Sequence, residues 1–267
     1  MAIQEVGDRV FALHYEFIDQ QIGVVIGGDD VLVVDSRSTA SQAREIAADV
    51  RALTDHPVNL VVNTHFHWDH TWGNHALRPA ATWGHVRTAE RMREDQSELI
   101  ALLAGHYADL ADDFRSMTID PPEHTFADHA TVHVGGREVR LAFHGRGHTD
   151  SDISIHVPDA DVMFAGDLIE NGAPPSFGQG YPMEWAATVE QLLPLATGAV
   201  VPGHGAVGDR AFLEDQLAAL RGIADLARAI HAGSLSIEDA VSASGFGPET
   251  PRDAFERALA QLRGELA

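Results

Sequence analysis

The sequence predicts an α/β fold, in which short apolar strands alternate with amphipathic helices. Runs of four or five apolar residues rich in Val recur along the first 205 residues and are separated by Gly, Pro, Asn and Asp. Apolar residues at helical spacing lie between these runs and dominate after about residue 209. With 267 residues, and hydrophobic residues making up 45% of them, the chain can bury a substantial core.

The N-terminal elements are predicted as strands followed by a helix and a further strand. Residues 11–13, 22–26 and 31–34 are short, apolar and β-rich. Residues 39–53 switch to helical spacing, and residues 59–63 form another short buried strand. This order favours a βαβ unit within a sheet.

The later elements continue the mixed pattern. Residues 86–118 have a helical pattern, and residues 130–144 predict a hairpin that turns at Gly135 and Gly136. The other predicted strands cover residues 153–157, 162–165 and 199–201, and the other predicted helices cover residues 184–195, 209–231, 236–243 and 251–265.

Composition excludes several kinds of chemistry. Cysteine is absent, so disulfides and thiolate ligands are excluded, and any metal site must use His and carboxylate side chains. Lysine is absent too, since all 18 basic residues are Arg, and this excludes a Schiff base on a lysine. No apolar run approaches the roughly 20 residues that cross a bilayer, and Glu5, Asp8 and Arg9 stand where a signal peptide would be apolar. We therefore expect a cytoplasmic protein that does not enter a membrane.

The segment after the strand at residues 59–63 carries the densest set of possible metal ligands. It contains His65, His67, Asp69 and His70 within six residues. In an extended segment alternate side chains share one side, so His65, His67 and Asp69 can converge, while His70 turns with the following helix. Imidazole nitrogen and carboxylate oxygen are ligands that zinc favours, at about 2.0–2.2 Å.

Three further candidates follow predicted strands, each beside glycine: His148, Asp167 and His204. Four ligands from one loop cannot surround two ions, so additional ligands must come from elsewhere in the chain. Loops at strand ends are where sheet proteins build sites, and glycine lets the backbone approach a bound ion. These three residues are therefore the expected partners of the first four.

The order His-x-His-x-Asp-His, followed by His, Asp and His on later loops, resembles the signature of the metallo-β-lactamase superfamily. The resemblance covers roughly residues 9–210 and all seven positions. It implies an αβ/βα four-layer sandwich of two mixed sheets, with a catalytic domain over residues 1–210 and a helical extension over residues 211–267 packed on it. It further implies two metal sites and one bridging ligand: His65, His67 and His148 at the first site, Asp69, His70 and His204 at the second, and Asp167 between them.

The resemblance implies a hydrolase with two Zn²⁺ ions, for which iron or manganese is the alternative metal. Two such ions lower the pKa of a bridging water, and the resulting hydroxide attacks a carbonyl that one ion polarises. Asp69 is the candidate catalytic residue, because it would orient this nucleophile and carry a proton as well as bind metal. Ester, lactone, thioester and β-lactam substrates all fit this chemistry.

Two other functions stay open. A persulfide dioxygenase of the same fold would use one iron held by two His and one Asp, which leaves Asp69, His70 and His204 without a role. A non-catalytic metal-binding module is the second, although a closed structural zinc site seldom needs seven ligands. Among hydrolases the seven ligands are similar to those of glyoxalase II. Acyl-homoserine lactonases typically carry Tyr where Glu170 stands here, and this difference weakens the comparison with lactonases.

Aromatic residues near the ligands indicate a substrate pocket. We predict that Trp68, Phe177 and Tyr181 line it and contact a small-molecule substrate. Residues 171–183 form a long Gly- and Pro-containing segment soon after Asp167, and irregular segments of this length are usually functional. We therefore expect this segment to act as a lid.

The acidic balance predicts that nucleic acid is not a partner. The formal net charge is -22, from 40 acidic and 18 basic residues, and the Arg residues form no segregated cluster along the chain. Counterion release cannot drive polyanion binding to such a surface. We expect no appreciable binding to duplex or single-stranded nucleic acid at physiological salt in an anisotropy titration. A sub-micromolar dissociation constant that weakens steeply with salt would contradict this expectation.

Overall fold

A computed structural model describes residues 1–78, 80–245 and 250–266 of the chain. Within this part, seven strands form the first sheet in sequential order. Antiparallel pairing joins the first four strands and parallel pairing joins the last four, so the sheet is mixed. The strands are Ala2–Gly7 (β1), Val10–Tyr15 (β2), Gln20–Ile26 (β3), Val31–Val34 (β4), Val58–Val62 (β5), Ala81–His85 (β6) and His124–Phe126 (β7).

The second sheet contains five strands in the order β12-β11-β10-β9-β8. Strands β11 and β12 pair in parallel, and the other neighbouring strands of this sheet pair antiparallel. The strands are His129–Val134 (β8), Arg137–Phe143 (β9), Ile153–Val157 (β10), Val162–Gly166 (β11) and Ala199–Pro202 (β12).

Nine α-helices lie in the described part of the chain, and none of them is long and apolar enough to cross a membrane. They are Ala40–Leu53 (α1), Trp68–Thr71 (α2), Val86–Met92 (α3), Ser97–His106 (α4), Ala111–Ser116 (α5), Pro182–Glu190 (α6), Arg210–His231 (α7), Ile237–Ala243 (α8) and Thr250–Leu262 (α9).

Three buried clusters show how the layers stack. Between the sheets, Leu32 and Val62 of the first sheet pack with Ile155 and Phe164 of the second. The outer face of the first sheet packs against Ile46 and the rest of the apolar face of α1. The outer face of the second sheet packs against α6, α7 and α9. Each sheet therefore buries one face against the other sheet and one against helices, which confirms the predicted four-layer αβ/βα sandwich.

Several element predictions need correction. Strands β1, β6 and β7 were not predicted, and residues 86–118 form three short helices rather than continuous helical structure. Helices α7 and α9 pack with α6 in one buried cluster. The division at residue 210 stays a prediction, and residues 246–249 and 267 of the extension lie outside the described residues.

The contact between α9 and the sandwich can be measured through Phe255. Its side chain is completely buried in the cluster formed by α6, α7 and the second sheet. We expect Phe255→Ala to lower the free energy of unfolding by about 3–5 kcal/mol, because it removes a buried ring and leaves a cavity. Urea denaturation followed by circular dichroism measures this change.

Leu102→Ala is the matched control for that substitution. Leu102 is 67% exposed, so its truncation should change the free energy of unfolding by less than about 0.5 kcal/mol. Equal unfolding midpoints for Phe255→Ala and the unmodified protein would show that α9 does not stabilise the sandwich.

Candidate metal centre

The candidate ligands gather where β5, β11 and β12 end. The loop after β5 carries His65 and His67, and α2 begins directly behind it. Since β11 and β12 are parallel, the residues that follow them meet at one edge of the second sheet. The backbone N–H of Ile153 donates to the carbonyl of Thr64 at 2.9 Å and joins the two sheets at this point. All seven predicted residues are brought together there: His65, His67, Asp69, His70, His148, Asp167 and His204.

Their donor atoms form two groups, within each of which every atom lies within 4.8 Å of the others. The first contains His65, His67, His148 and Asp167, and the second contains Asp69, His70 and His204. Of the seven, only His67 and His204 are partly exposed. The grouping follows the assignment implied by the family resemblance.

The local conformation of the motif differs from the expected one. An extended segment would place His65, His67 and Asp69 on one side, but the helix α2 begins at Trp68. This helical turn carries Asp69 away from His65 and His67 and places it with His70. The change of backbone conformation at His67 therefore divides one short motif between two ligand groups.

Asp167 lies between the two groups. Its Oδ2 is 3.4 Å from Nε2 of His148 in the first group and 3.5 Å from Nε2 of His204 in the second. Its Oδ1 is 3.4 Å from Nε2 of His70. A single carboxylate thus faces imidazoles of both groups.

Two glycines make this position of Asp167 possible. Gly166 has a φ of +52°, in the left-handed region, and a Cβ there would lie 2.7 Å from Cβ of Thr64. A Cβ on Gly203 would lie 1.8 Å from Oδ1 of Asp167. The backbones of both residues can approach the ligands only because they carry no side chain.

The outer nitrogen of each imidazole is held by an acceptor, which directs the other nitrogen inward. His70 Nδ1 donates to Asp35 at 2.8 Å. His65 Nδ1 donates to the Thr64 hydroxyl at 3.0 Å, and this hydroxyl donates to Asp35. The other outer contacts run from His67 Nε2 to Gln179 Oε1, from His148 Nδ1 to the Ser176 carbonyl and from His204 Nδ1 to the Ile18 carbonyl.

These inward nitrogens fit a pair of metal ions. His67 Nδ1 lies 2.8 Å from His148 Nε2, and His70 Nε2 lies 3.2 Å from His204 Nε2. Two imidazole lone pairs at such distances repel each other unless a cation or a proton lies between them. Nε2 of His65 and Oδ1 of Asp167 are buried without a hydrogen-bond partner among the described residues. Five imidazoles and two carboxylates with their lone pairs converging form a donor set suited to zinc.

The pKa shifts separate the two groups. Burial lowers the pKa of His148 to about 3 and that of His65 well below its usual range, so both imidazoles are neutral. Burial would also lower the pKa of His70 and His204, but Asp167 and Asp69 raise both well above the ordinary value. A metal ion at the second group would therefore compete with protons for His70 and His204.

A cavity of about 610 Å³ opens onto the ligands. Trp68 lines it, as predicted, and so do Asn171, Ser176 and Gln179 of the irregular segment that was expected to act as a lid. Its wall also contains Glu170, whose pKa is raised to about 8 by burial and by the charge of Asp167. The position of this segment agrees with a role in substrate access, and its movement stays a prediction.

The other two predicted pocket residues lie elsewhere. Phe177 is 2% exposed and packs edge-on against Trp185 in the core, with ring centroids 5.2 Å apart. The Tyr181 ring lies near two guanidinium groups, with its centroid 4.2 Å from Cζ of Arg146 and 5.9 Å from Cζ of Arg257, and it lines a smaller, adjoining cavity. Neither ring lines the cavity over the candidate ligands, and contact of Phe177 and Tyr181 with a substrate stays a prediction.

Sequence analysis missed Asp35, which supports ligands of both groups. Its carboxylate accepts hydrogen bonds from the backbone and the hydroxyl of Thr64 and from His70. The available signal was its place directly after the apolar strand β4, as for the ligand Asp167 after β11. His144 lies outside both candidate ligand groups, and its Nε2 contacts the Ser154 hydroxyl at 2.8 Å.

The family of the chain follows from its sequence. Residues 17–204 match the model of the Metallo-beta-lactamase superfamily, and this range contains all seven candidate ligands. The chain belongs to the metallo-beta-lactamase superfamily.

Individual relatives agree with this membership. The chain is 26% identical to the type 2 metallo-beta-lactamase of Bacillus cereus over 199 residues, 72% of this chain and 69% of that protein. It is 24% identical to the acyl-coenzyme A thioesterase MBLAC2 of Bos taurus over 230 residues, 76% of this chain and 80% of that protein. The solved structure of a metallo-beta-lactamase from Pontibacter korlensis matches 82% of this chain and 98% of its own, with a TM-score of 0.65 and 19% identity. The structural match shows that the fold is shared.

The role of Asp35 leads to a testable expectation. Asp35→Asn should weaken metal binding by about 10- to 100-fold, because an amide cannot accept all three hydrogen bonds that orient His65 and His70. Competition with a chromogenic chelator measures this affinity.

Asp112→Asn is the control for that measurement, since the Asp112 side chain is fully exposed and, among the described residues, pairs only with Arg115. Unchanged metal affinity in Asp35→Asn would show that the imidazoles keep their orientation without this carboxylate.

Proposed function

We propose that this protein is a hydrolase that cleaves a carbonyl substrate at a centre of two divalent metal ions, with zinc as the preferred metal. The observation that carries the proposal is the position of Asp167, whose carboxylate faces imidazoles of both ligand groups. His65, His67 and His148 would hold one ion and Asp69, His70 and His204 the other, with Asp167 shared between them. When bound, such ions supply a water of lowered pKa and polarise a carbonyl oxygen.

The residues of the chain would then orient the reactants. Asp69 lines the cavity, and its Oδ2 lies 3.2 Å from Nε2 of His204. Although burial alone would raise its pKa, His70 and His204 hold the pKa of Asp69 well below the usual value, so the carboxylate is ionised at neutral pH. An ionised carboxylate at this place can accept a proton from the attacking water and deliver it to the leaving group.

Two of the relatives support hydrolysis at a carbonyl carbon. The names of the Bacillus cereus and Bos taurus proteins denote a lactamase and a thioesterase. The cavity of about 610 Å³ is of the size that takes a small molecule, so an ester, lactone, thioester or β-lactam is the proposed substrate. A persulfide dioxygenase with a single iron would make no use of the second ligand group. Because the residues of this second group lie together in the structure, they favour the hydrolase.

Two carboxylate variants test the proposal. Metal-replete protein should contain two zinc ions per chain by elemental analysis. Asp167→Asn removes a shared negative charge while keeping the side-chain shape, so the second ion should bind more weakly. Asp69→Asn removes a ligand and the proton acceptor. We expect each substitution to lower the turnover of an active ester, lactone or thioester by about 100-fold or more, which corresponds to at least about 2.7 kcal/mol of transition-state stabilisation.

His144→Ala is the control, because His144 ends a neighbouring strand but lies outside both ligand groups. Its turnover should stay within a few-fold of the unmodified protein, with an unchanged circular dichroism spectrum. One iron and no zinc in the purified protein would favour the dioxygenase. Full turnover by Asp167→Asn with both metals bound would overturn the shared-ligand assignment.

A further inference from the structure

A second cavity adjoins the first and contains no candidate ligand. Its volume is about 280 Å³, and it shares three wall residues with the metal cavity, namely Phe66, Arg91 and Gln179. Gln179 is the closest connection between them, since its Oε1 accepts a hydrogen bond from the ligand His67 at 2.7 Å. Residues of the C-terminal helical region, among them Arg257 of α9, complete its wall.

Arg257 differs from the other buried or partly buried arginines in the described part of the chain because no carboxylate pairs with it. Five arginines there are buried or partly buried, and four of them have a carboxylate within 4.0 Å. Arg257 has none: its Nε donates to the Gly180 carbonyl at 2.7 Å, and its Nη1 and Nη2 have no hydrogen bond or ion pair with any described residue. The four paired arginines are Arg37, Arg91, Arg137 and Arg146.

The two carboxylates in the wall of this cavity pair with other arginines. Asp150 accepts from Arg91 at 3.1 Å through Oδ2, and its Oδ1 is buried without a hydrogen-bond partner among the described residues. Glu265 accepts from Nε and Nη2 of Arg263 at 2.7 and 2.8 Å. Burial lowers the pKa of Arg257, as expected for a cation that is partly shielded from water and has no carboxylate partner among the described residues. Within the described residues the two terminal amino groups of Arg257 therefore have no partner, and they can bind an anion from outside the chain.

We propose that this second cavity is a subsite in which Arg257 binds an oxyanion, carboxylate or phosphate, at the end of the substrate remote from the scissile bond. The guanidinium offers two amino groups in the fork geometry that matches such an anion. The Tyr181 ring, with the Arg146 guanidinium 4.2 Å from its centroid, forms an apolar wall beside the anion site. This inference rests on the proposed function, because the scissile group of the same molecule would lie in the metal cavity.

A pair of activated esters tests the subsite. The monoester 4-nitrophenyl glutarate carries a terminal carboxylate, and 4-nitrophenyl pentanoate has the same chain length without the charge. In zinc-loaded protein, Arg257→Gln should raise KM for the glutarate ester by about 10- to 100-fold, because it removes a charge-assisted hydrogen-bonded pair. Arg257→Gln also removes the Nε hydrogen bond to the Gly180 carbonyl, and the pentanoate ester controls for that loss. KM for the pentanoate ester should rise much less than KM for the glutarate ester, and kcat for both should stay within about twofold. Arg257→Lys should restore part of the loss.

Arg252→Gln is the matched control on the same helix. Arg252 is exposed and its guanidinium faces Glu238 and Glu256, so KM for both esters should be unchanged. Equal effects of Arg257→Gln on the two esters, or no effect on either, would overturn the subsite. If the unmodified protein hydrolyses neither ester nor the lactone and thioester panel, the proposed function fails, and direct binding then decides the subsite separately.

Direct binding also separates the two sources of the anion. Glutarate and inorganic phosphate are titrated against the tryptophan fluorescence of zinc-loaded protein and of Arg257→Gln. Anions bound at the metal centre contribute equally in both proteins, so the difference reports on Arg257. Tenfold or greater weakening for glutarate assigns a carboxylate, and the same weakening for phosphate assigns a phosphoryl group. Identical titrations in both proteins would contradict the proposal.

Discussion

The Asp167 carboxylate lies among four imidazoles at the end of β11, and the surrounding structure is built to hold it there. Burying so many polar groups costs several kcal/mol unless each finds a partner. This cost is offset only if the buried groups share metal ions or protons. Sharing requires strand ends from both sheets to meet at one point. Gly166 and Gly203 satisfy that requirement, because any side chain at either position would occupy the space of Thr64 or of Asp167 itself.

Strained backbone lies around the candidate ligands, where the chain must supply acceptors to their imidazoles. Positive φ angles occur at Ile18, Asp19, Asp35 and Arg37, where side chains other than glycine cost of order 1–3 kcal/mol each. Two of these residues supply acceptors to the centre: the Ile18 carbonyl to His204 and the Asp35 carboxylate to His70. The backbone leaves its preferred conformation where an outer nitrogen must be held, so the strain and the orientation of the imidazoles have a common origin.

Sequence reasoning succeeded where a local pattern determines the outcome. The seven candidate ligands could be predicted because their residue types and their places after strands follow from the chemistry of a metal centre, and the structure brings them together. Strand β6, Ala-Thr-Trp-Gly-His, was missed because it lacks an apolar run and is held by its parallel neighbours β5 and β7. Phe177 and Tyr181 were assigned to the main pocket because sequence distance from Asp167 does not reveal how the intervening chain turns. Asp35 was missed since its function depends on a contact 35 residues away.

The C-terminal helices are linked to the active-site loops by polar contacts as well as by packing. Gln261 of α9 accepts from the backbone N–H of Met183 and donates to Glu184, which in turn holds Arg146 two residues before the ligand His148. Arg257 holds the carbonyl of Gly180 in the segment that lines both cavities. A boundary near residue 210 describes the order of elements along the chain, whereas these contacts cross it. Variation in α9 would therefore alter the wall of the substrate cavities while leaving the ligands on the sheets unchanged, so that one metal centre could serve different substrates.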